Sequence, residues 1–154
     1  MDYSRAFAIS AAGMTLERTR VEVAAMNLAN ANTVQGVDGV SYQPLRVVAT
    51  AASLAQPQDF SEALGREADG AAGIGLPFAV PQVSVQPNNA APRRLYEPGN
   101  PYADAKGYVS YAGVDNAAEM VTMMSAMRSY EANIAAMNMS KTLAVKALQI
   151  GSSS

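Results

Sequence analysis

The 154-residue chain has no cysteine, no histidine and no tryptophan. Without cysteine there is neither a disulfide framework nor a thiolate metal site. That composition is compatible with an oxidising compartment without requiring one. Without histidine the commonest general base and the commonest metal ligand are both missing. Charge is also sparse: 11 Lys and Arg against 13 Asp and Glu give a formal net charge of −2. Apart from Arg93 and Arg94 the cations are scattered, so nucleic-acid binding has no electrostatic support. No apolar run reaches the roughly 18 residues that a membrane span needs. The opening residues, Met1 to Arg5, lack the basic region and unbroken apolar core of a cleavable signal. The expectation is a protein with no direct membrane insertion, which leaves the cytoplasm, if it does, by a route that does not read such a signal.

Proline is confined. All eight prolines lie between Pro44 and Pro101, which leaves both ends free for long helices. Residues 116 to 150 contain neither Pro nor Gly and predict one helix of roughly 50 Å at 1.5 Å per residue. Met120, Met123, Met127, Tyr130, Ile134, Met137, Ala144 and Leu148 follow alternating steps of three and four, interrupted at Lys141. That is a heptad seam, and it requires an apolar partner. A periodic pattern much beyond about 25 residues points to a coiled coil. Asn116 with Glu119 reads as a capping box. Asp115 and Glu119 complement the positive end of the helix dipole, and Lys141 and Lys146 lie nearer its negative end.

Residues 3 to 32 predict a second helix. Phe7, Met14, Val21 and Leu28 are spaced by seven, with Ala11 and Ala25 between them and Arg18 as the exception. Gly13 costs roughly 1 kcal/mol relative to Ala inside a helix and marks a bend or a close contact. Asp2 or Ser4 can cap the start. Asn30, Asn32, Thr33, Gly36 and Gly39 tolerate the turn conformations of a helix exit.

Between the helices the sequence reads differently. Ser41 to Gln43 and Leu45 to Thr50 predict short strands around Pro44, which would sit at an edge or a bulge. Residues 51 to 77 are rich in Ala and Gly, Val80, Val83 and Val85 suggest another strand, and Tyr108 to Tyr111 leads into the last helix. Pro98-Gly99 fits the central pair of a type II turn. The predicted fold is therefore mainly α: N- and C-terminal helices paired as an antiparallel coiled coil, with a small β-rich, irregular insert. The predicted division is a helical domain of residues 1–33 plus 116–150, a middle region 34–115 in which 51–92 is Ala/Gly/Pro-rich, and a tail 151–154. A two-helix ribbon encloses little core, and such helices take most of their stability from packing, so the remaining faces are expected to be covered by other chains.

No catalytic, cofactor-binding or metal-ligating set emerges. Gly73-Ile74-Gly75 lacks the third glycine and the lysine of a phosphate loop. Glu97 with Asp104, or Asp115 with Glu119, could serve as carboxylate pairs, but turns and helix caps explain them more simply. Asp2, Asp59 and Asp69 have no calcium-loop spacing. Six of the nine methionines fall in the C-terminal helix; core packing explains them more simply than an adaptable binding surface. Asn138-Met139-Ser140 matches a glycosylation acceptor only in the middle of a helix.

Asn27-Leu28-Ala29-Asn30-Ala31-Asn32-Thr33 resembles the N-terminal signature of bacterial flagellar axial proteins. A second block is similar to flagellar basal-body rod proteins of the FlgC type. It comprises Tyr96-Glu97-Pro98-Gly99-Asn100-Pro101, Gly107-Tyr108-Val109, Glu119-Met120-Val121 and Ser129-Tyr130-Glu131-Ala132-Asn133, with Lys141-Thr142 and Leu148-Gln149 beyond them. The resemblance covers about residues 1–50 and 93–150 and departs over 51–92. It implies a structural role without catalysis or cofactor. Terminal helices would form an inner layer around an export channel, in a drive shaft that carries torque from the membrane rotor to the hook and filament. Implied partners are further copies of the chain, other rod proteins, the rod-to-MS-ring junction proteins and the flagellar type III export apparatus. The resemblance also implies that the termini fold on assembly. The alternative is a secreted or periplasmic helical adaptor with no flagellar role, which would share the heptads but not need the Asn-Leu-Ala-Asn-Ala-Asn-Thr segment.

Overall fold

The computed structural model describes residues 3–36, 39, 41–50 and 81–152, with only the backbone of residues 3, 4, 151 and 152. The capping roles expected of Asp2 or Ser4, the Gly73-Ile74-Gly75 stretch, Asp59, Asp69 and Val80 lie outside the described side chains. Two long helices, α1 (Tyr3–Asn30) and α2 (Asn116–Ser152), pack against each other. Between them lie β1 (Leu45–Thr50), β2 (Gln82–Pro87), β3 (Arg93–Tyr96) and β4 (Tyr108–Tyr111). The strands form two antiparallel pairs. β1 and β2 run in register from Leu45 opposite Pro87 to Thr50 opposite Gln82. β3 and β4 run from Arg93 opposite Tyr111 to Tyr96 opposite Tyr108.

The exit of α1 is stitched to β4. Gln35 donates its backbone N–H to Ser110 at 2.8 Å, and Ala112 donates to Thr33 at 3.2 Å. This closes a small core of Ala31, Ala112 and Val114, with Tyr42 packed on it. Gly113 belongs to the same close approach: a Cβ there would lie 2.3 Å from the Ala91 carbonyl oxygen.

One side chain joins three elements. Asn27, fully buried on α1, donates through Nδ2 to the Leu45 carbonyl at 2.8 Å and to Glu119 Oε1 at 2.8 Å. Its Oδ1 accepts the Leu45 N–H and the Tyr42 hydroxyl, each at 2.9 Å. An amide side chain has two donor hydrogens and two acceptor sites, and all four are used. Because Leu45 offers both an N–H and a C=O, the network fixes which way the amide points. Asn27 thus stands beside β1 as an adjacent strand residue would. Leu45 directs both polar groups to it, and Pro87 on the other side has no N–H to supply. Burial, and then the charge of Glu119, raise the Tyr42 phenol above its ordinary pKa, so it remains a neutral donor.

Three local readings change. Asp115, not Asn116, caps α2: its Oδ1 accepts from the Ala117 and Ala118 N–H groups at 2.9 and 3.2 Å. Glu119 does not reach back to complete a capping box, because its carboxylate is held by Asn27. Ser41 to Gln43 is not a strand; Tyr42 turns inward to Asn27 instead. The Glu97–Asn100 turn closes with Asn100 N–H donating to the Glu97 carbonyl at 3.0 Å, but Gly99 is not at positive φ, so it is not type II. Pro98 fits the first central position of either turn type.

The glycine that needs its conformation is Gly107. Its φ is +81°, and a Cβ there would lie 2.9 Å from the Tyr96 ring, which packs edge-on against Tyr108 with centroids 5.3 Å apart. The same loop is tied by Asp104, whose Oδ1 accepts the Lys106 and Tyr108 N–H groups at 2.8 and 2.9 Å. The Tyr108 N–H above all holds the Asp104 carboxyl below its usual range.

Three substitutions test this frame. Asn27→Asp keeps the shape but turns an oxygen toward the Leu45 carbonyl and the Glu119 carboxylate. Unmet buried groups cost about 1–3 kcal/mol each, so the thermal midpoint of the purified chain should fall by several degrees at pH 7. A carboxyl in that site resists ionisation, which raises its folded pKa above the unfolded value of about 4. The penalty is absent below the unfolded value and grows as pH rises toward the folded one, so the gap to the parent should narrow at acid pH. Gly107→Ala should lower the midpoint, since a left-handed non-glycine residue costs roughly 1–2 kcal/mol and the new Cβ meets Tyr96. Gly99→Ala, with nothing within 4 Å of the added carbon, should change stability by less than about 0.5 kcal/mol.

Candidate assembly surface

The buried line along each helix is made of small and polar residues. On α1 it is Ser10, Glu17 and Ala24, continued at Ala31 just past the helix end, spaced by seven, with Asn27, Gly13 and the buried Val23 beside it. On α2 it is Ala126, buried, in series with half-buried Glu119, Asn133 and Ser140. Gly13 lies directly against Asn133: a Cβ at 13 would stand 2.7 Å from its amide nitrogen. The sequence suggested a bend or a close contact at Gly13; this close approach accounts for it.

The large apolar residues are displaced to one side of that line. Met120, Met127, Ile134 and Leu148 are exposed, Met127 by 47 % and Leu148 by 74 %. Met123, Tyr130 and Met137 are half-buried. On α1, Phe7, Met14, Val21 and Leu28 are half-buried, whereas Ala11, Arg18 and Ala25 are exposed. The two heptad series meet at a shallow groove of roughly 350 Å³ bordered by Arg18, Val21 and Glu22 of α1 and Met127, Tyr130 and Glu131 of α2. Further along α2, Met139, Leu143, Val145 and Ile150 are also exposed.

Charge along the groove is modest. Arg18 Nε meets Glu22 Oε1 at 2.9 Å with both side chains mostly in solvent, a pair worth little. Glu17 is more unusual. One of its oxygens lies 3.3 Å from Arg20 Nη1, and the other is buried without a partner among the described residues.

The motif residues divide by role. Asn27 is the buried node. Leu28 and Asn30 are half-buried, and Ala29, Asn32 and Thr33 are exposed; Asn30 Nδ2 donates to the Met26 carbonyl at 2.8 Å as the helix ends. Tyr96, Pro98, Gly99 and Tyr108 are exposed and Gly107 is half-buried, all within the β3–β4 hairpin. The carboxylates weighed as acid–base pairs have local partners. Glu97 Oε2 accepts from Asn100 Nδ2 and from the Tyr111 hydroxyl, each at 2.9 Å, and the hydrogen bond to Glu97 is the first cause of the raised Tyr111 pKa. Among the described residues, no three acidic side chains gather as a metal site, and no helix is long and apolar enough to cross a membrane.

Residues 105–150 match the family profile described as flagellar basal body rod FlgEFG protein C-terminal. The chain is 40 % identical over 145 residues to the flagellar basal-body rod protein FlgC of Escherichia coli O6:H1, covering 94 % of this chain and 95 % of that one. It is 39 % identical to the FlgC of Salmonella typhimurium over the same shares. The FlgC of Bacillus subtilis is 34 % identical, with 93 % and 94 % covered. Matches of that extent, spanning the helices, the Asn27 node and the β3–β4 hairpin together, make the chain a member of the FlgC family of flagellar basal-body rod proteins.

Proposed function

We propose that the chain is a subunit of the proximal rod that polymerises through its terminal helices into the flagellar drive shaft. It passes torque from the membrane rotor toward hook and filament through many side-by-side contacts and surrounds the export channel. It catalyses no reaction. On this reading α1 and α2 form an antiparallel coiled-coil ribbon. The support is that Asn27 meets Glu119 and Gly13 meets Asn133, so that steps forward along one helix match steps back along the other. Residues 1–33 and 116–150 act as the assembly domain, 34–115 as a second unit on its flank, and 151–154 as a tail. Partners are other copies of the chain, other rod proteins, the rod-to-MS-ring junction proteins and the type III apparatus that exports the chain without a cleaved signal.

The observation that carries this reading is the rotation of the heptad series away from the buried line. A subunit complete in itself would turn Met120, Met127 and Ile134 inward. Here they face outward, and roughly 25 cal/mol per Å² of apolar surface is available to whatever covers them. Small residues between α1 and α2 bring the two backbones together and leave the large side chains for neighbours. The proposed assembly seam is therefore Phe7, Met14, Val21 and Leu28 with Met120, Met123, Met127, Tyr130, Ile134, Met137 and Leu148.

Met127→Glu should abolish rod formation and motility while the chain is still made and exported, because a lone carboxylate buried in an apolar seam costs several kcal/mol. Met127→Leu, similar in volume, should swim and give normal basal bodies. Motility in soft agar with electron microscopy of isolated basal bodies checks both; normal rods carrying Met127→Glu would place this residue in solvent or facing the channel.

A further inference from the structure

The groove between α1 and α2 and the far end of α2 are complementary, and the chain cannot bring its own two parts together. Gly13 lies against Asn133, and α1 begins ten residues before Gly13, at Tyr3. With the helices antiparallel, the flank of α1 therefore ends near Leu143. From there to Ser152, α2 runs on without α1 beside it. Leu143, Val145, Leu148 and Ile150 are all exposed in this overhang. Lys141, Val145 and Leu148 fall on one helical face, at i, i+4 and i+7. That face continues the line of Met127, Tyr130 and Ile134.

The groove has the opposite character in charge and the same character in apolarity. Val21, Met127 and Tyr130 line it, and Glu22 and Glu131 stand on its rims. Arg18 is paired with Glu22, whereas Glu131 forms no ion pair among the described residues. Beyond Glu131, α2 carries Lys141 and Lys146 and no acidic residue. Met127 and Val145 are eighteen residues apart on one helix, about 27 Å, so the overhang can enter only the groove of another molecule.

We propose that the groove bordered by Val21, Met127, Tyr130 and Glu131 seats the Lys141–Ile150 segment of α2 from a second copy of this chain. The proposal rests on the reading of the chain as a rod subunit. It adds the partner and the polarity: Val145 and Leu148 fill the space between Val21 and Met127, and the lysines face the glutamates. The contact joins two different patches, so it is heterologous and leaves a groove at one end and an overhang at the other. Such a contact propagates along a helical array instead of closing into a dimer.

The chain has no cysteine, so single introduced thiols report contacts cleanly. Val21→Cys and Val145→Cys chains, one of them carrying a size tag, are co-expressed in flagellated cells that build their rods from this chain, and both are detected by immunoblot in the isolated basal bodies. Oxidation of isolated basal bodies should give the mixed 21–145 dimer. Val121→Cys with Val145→Cys, in which residue 121 sits on the far side of α2, should not. Glu131→Lys in the Val21→Cys chain should lower the yield of the mixed dimer. Basal bodies that contain both chains but give no 21–145 product, or no more than the 121 control, overturn this contact while leaving the rod assignment intact. A disulfide to a different rod protein at position 21 in place of the mixed dimer overturns it as well. Absence of the chain from basal bodies would instead overturn the rod assignment itself.

Discussion

The four hydrogen bonds of Asn27 fix the geometry of everything around them. An amide buried beside a strand, a tyrosine hydroxyl and a carboxylate has one orientation that satisfies all its partners. That orientation sets the angle at which β1 leaves α1 and the level at which α2 begins. A hydrophobic contact at the same place could slide by a residue at little cost. A saturated polar node cannot, because any shift strands several buried groups at once. Beside the node, Asp115 caps α2 by accepting the Ala117 and Ala118 N–H groups, and the Glu119 carboxylate is given to Asn27.

The register fixed at that node also sets which residues meet along the helix pair. With Asn27 level with Glu119, the positions that meet further along are Gly13 and Asn133, and a buried Glu17 lies between these levels. None of these supplies much apolar area. The two helices touch closely through these residues, while Phe7, Met14, Val21 and Leu28 with Met123, Tyr130 and Met137 are only half-buried beside them, which leaves part of each apolar series open on one flank.

Much of this was legible in the sequence, and the failures have physical causes. Both helices, the strand at Leu45–Thr50 and the outline of β2 follow from proline placement and periodicity; β4 does not, since Tyr108 to Tyr111 read only as the lead into the last helix. The β3 strand did not, because Arg93-Arg94-Leu95-Tyr96 has no alternation and exposes all four residues; only its pairing with β4 makes it a strand. Periodicity identified the large apolar residues of each helix but could not say how far each helix is rotated, since that depends on a partner several ångströms away. Asn27 is invisible to any pattern of hydrophobicity. It stood out only as part of a motif, and its role needed Leu45, Tyr42 and Glu119 to be brought to it by the fold.

The shifts described at Tyr42, Tyr111 and Asp104 share a direction relative to neutrality. Both phenols titrate higher than usual and the aspartate lower, so each of these groups keeps one charge state across the neutral range. The sequence also lacks imidazole and thiol, and no side chain in it has an ordinary pKa between about 5 and 8. The contacts that Tyr42 makes to Asn27, Tyr111 to Glu97 and Asp104 within its own loop therefore keep one charge pattern across the neutral range. Those three contacts are insulated from the one chemical variable to which many protein interfaces respond.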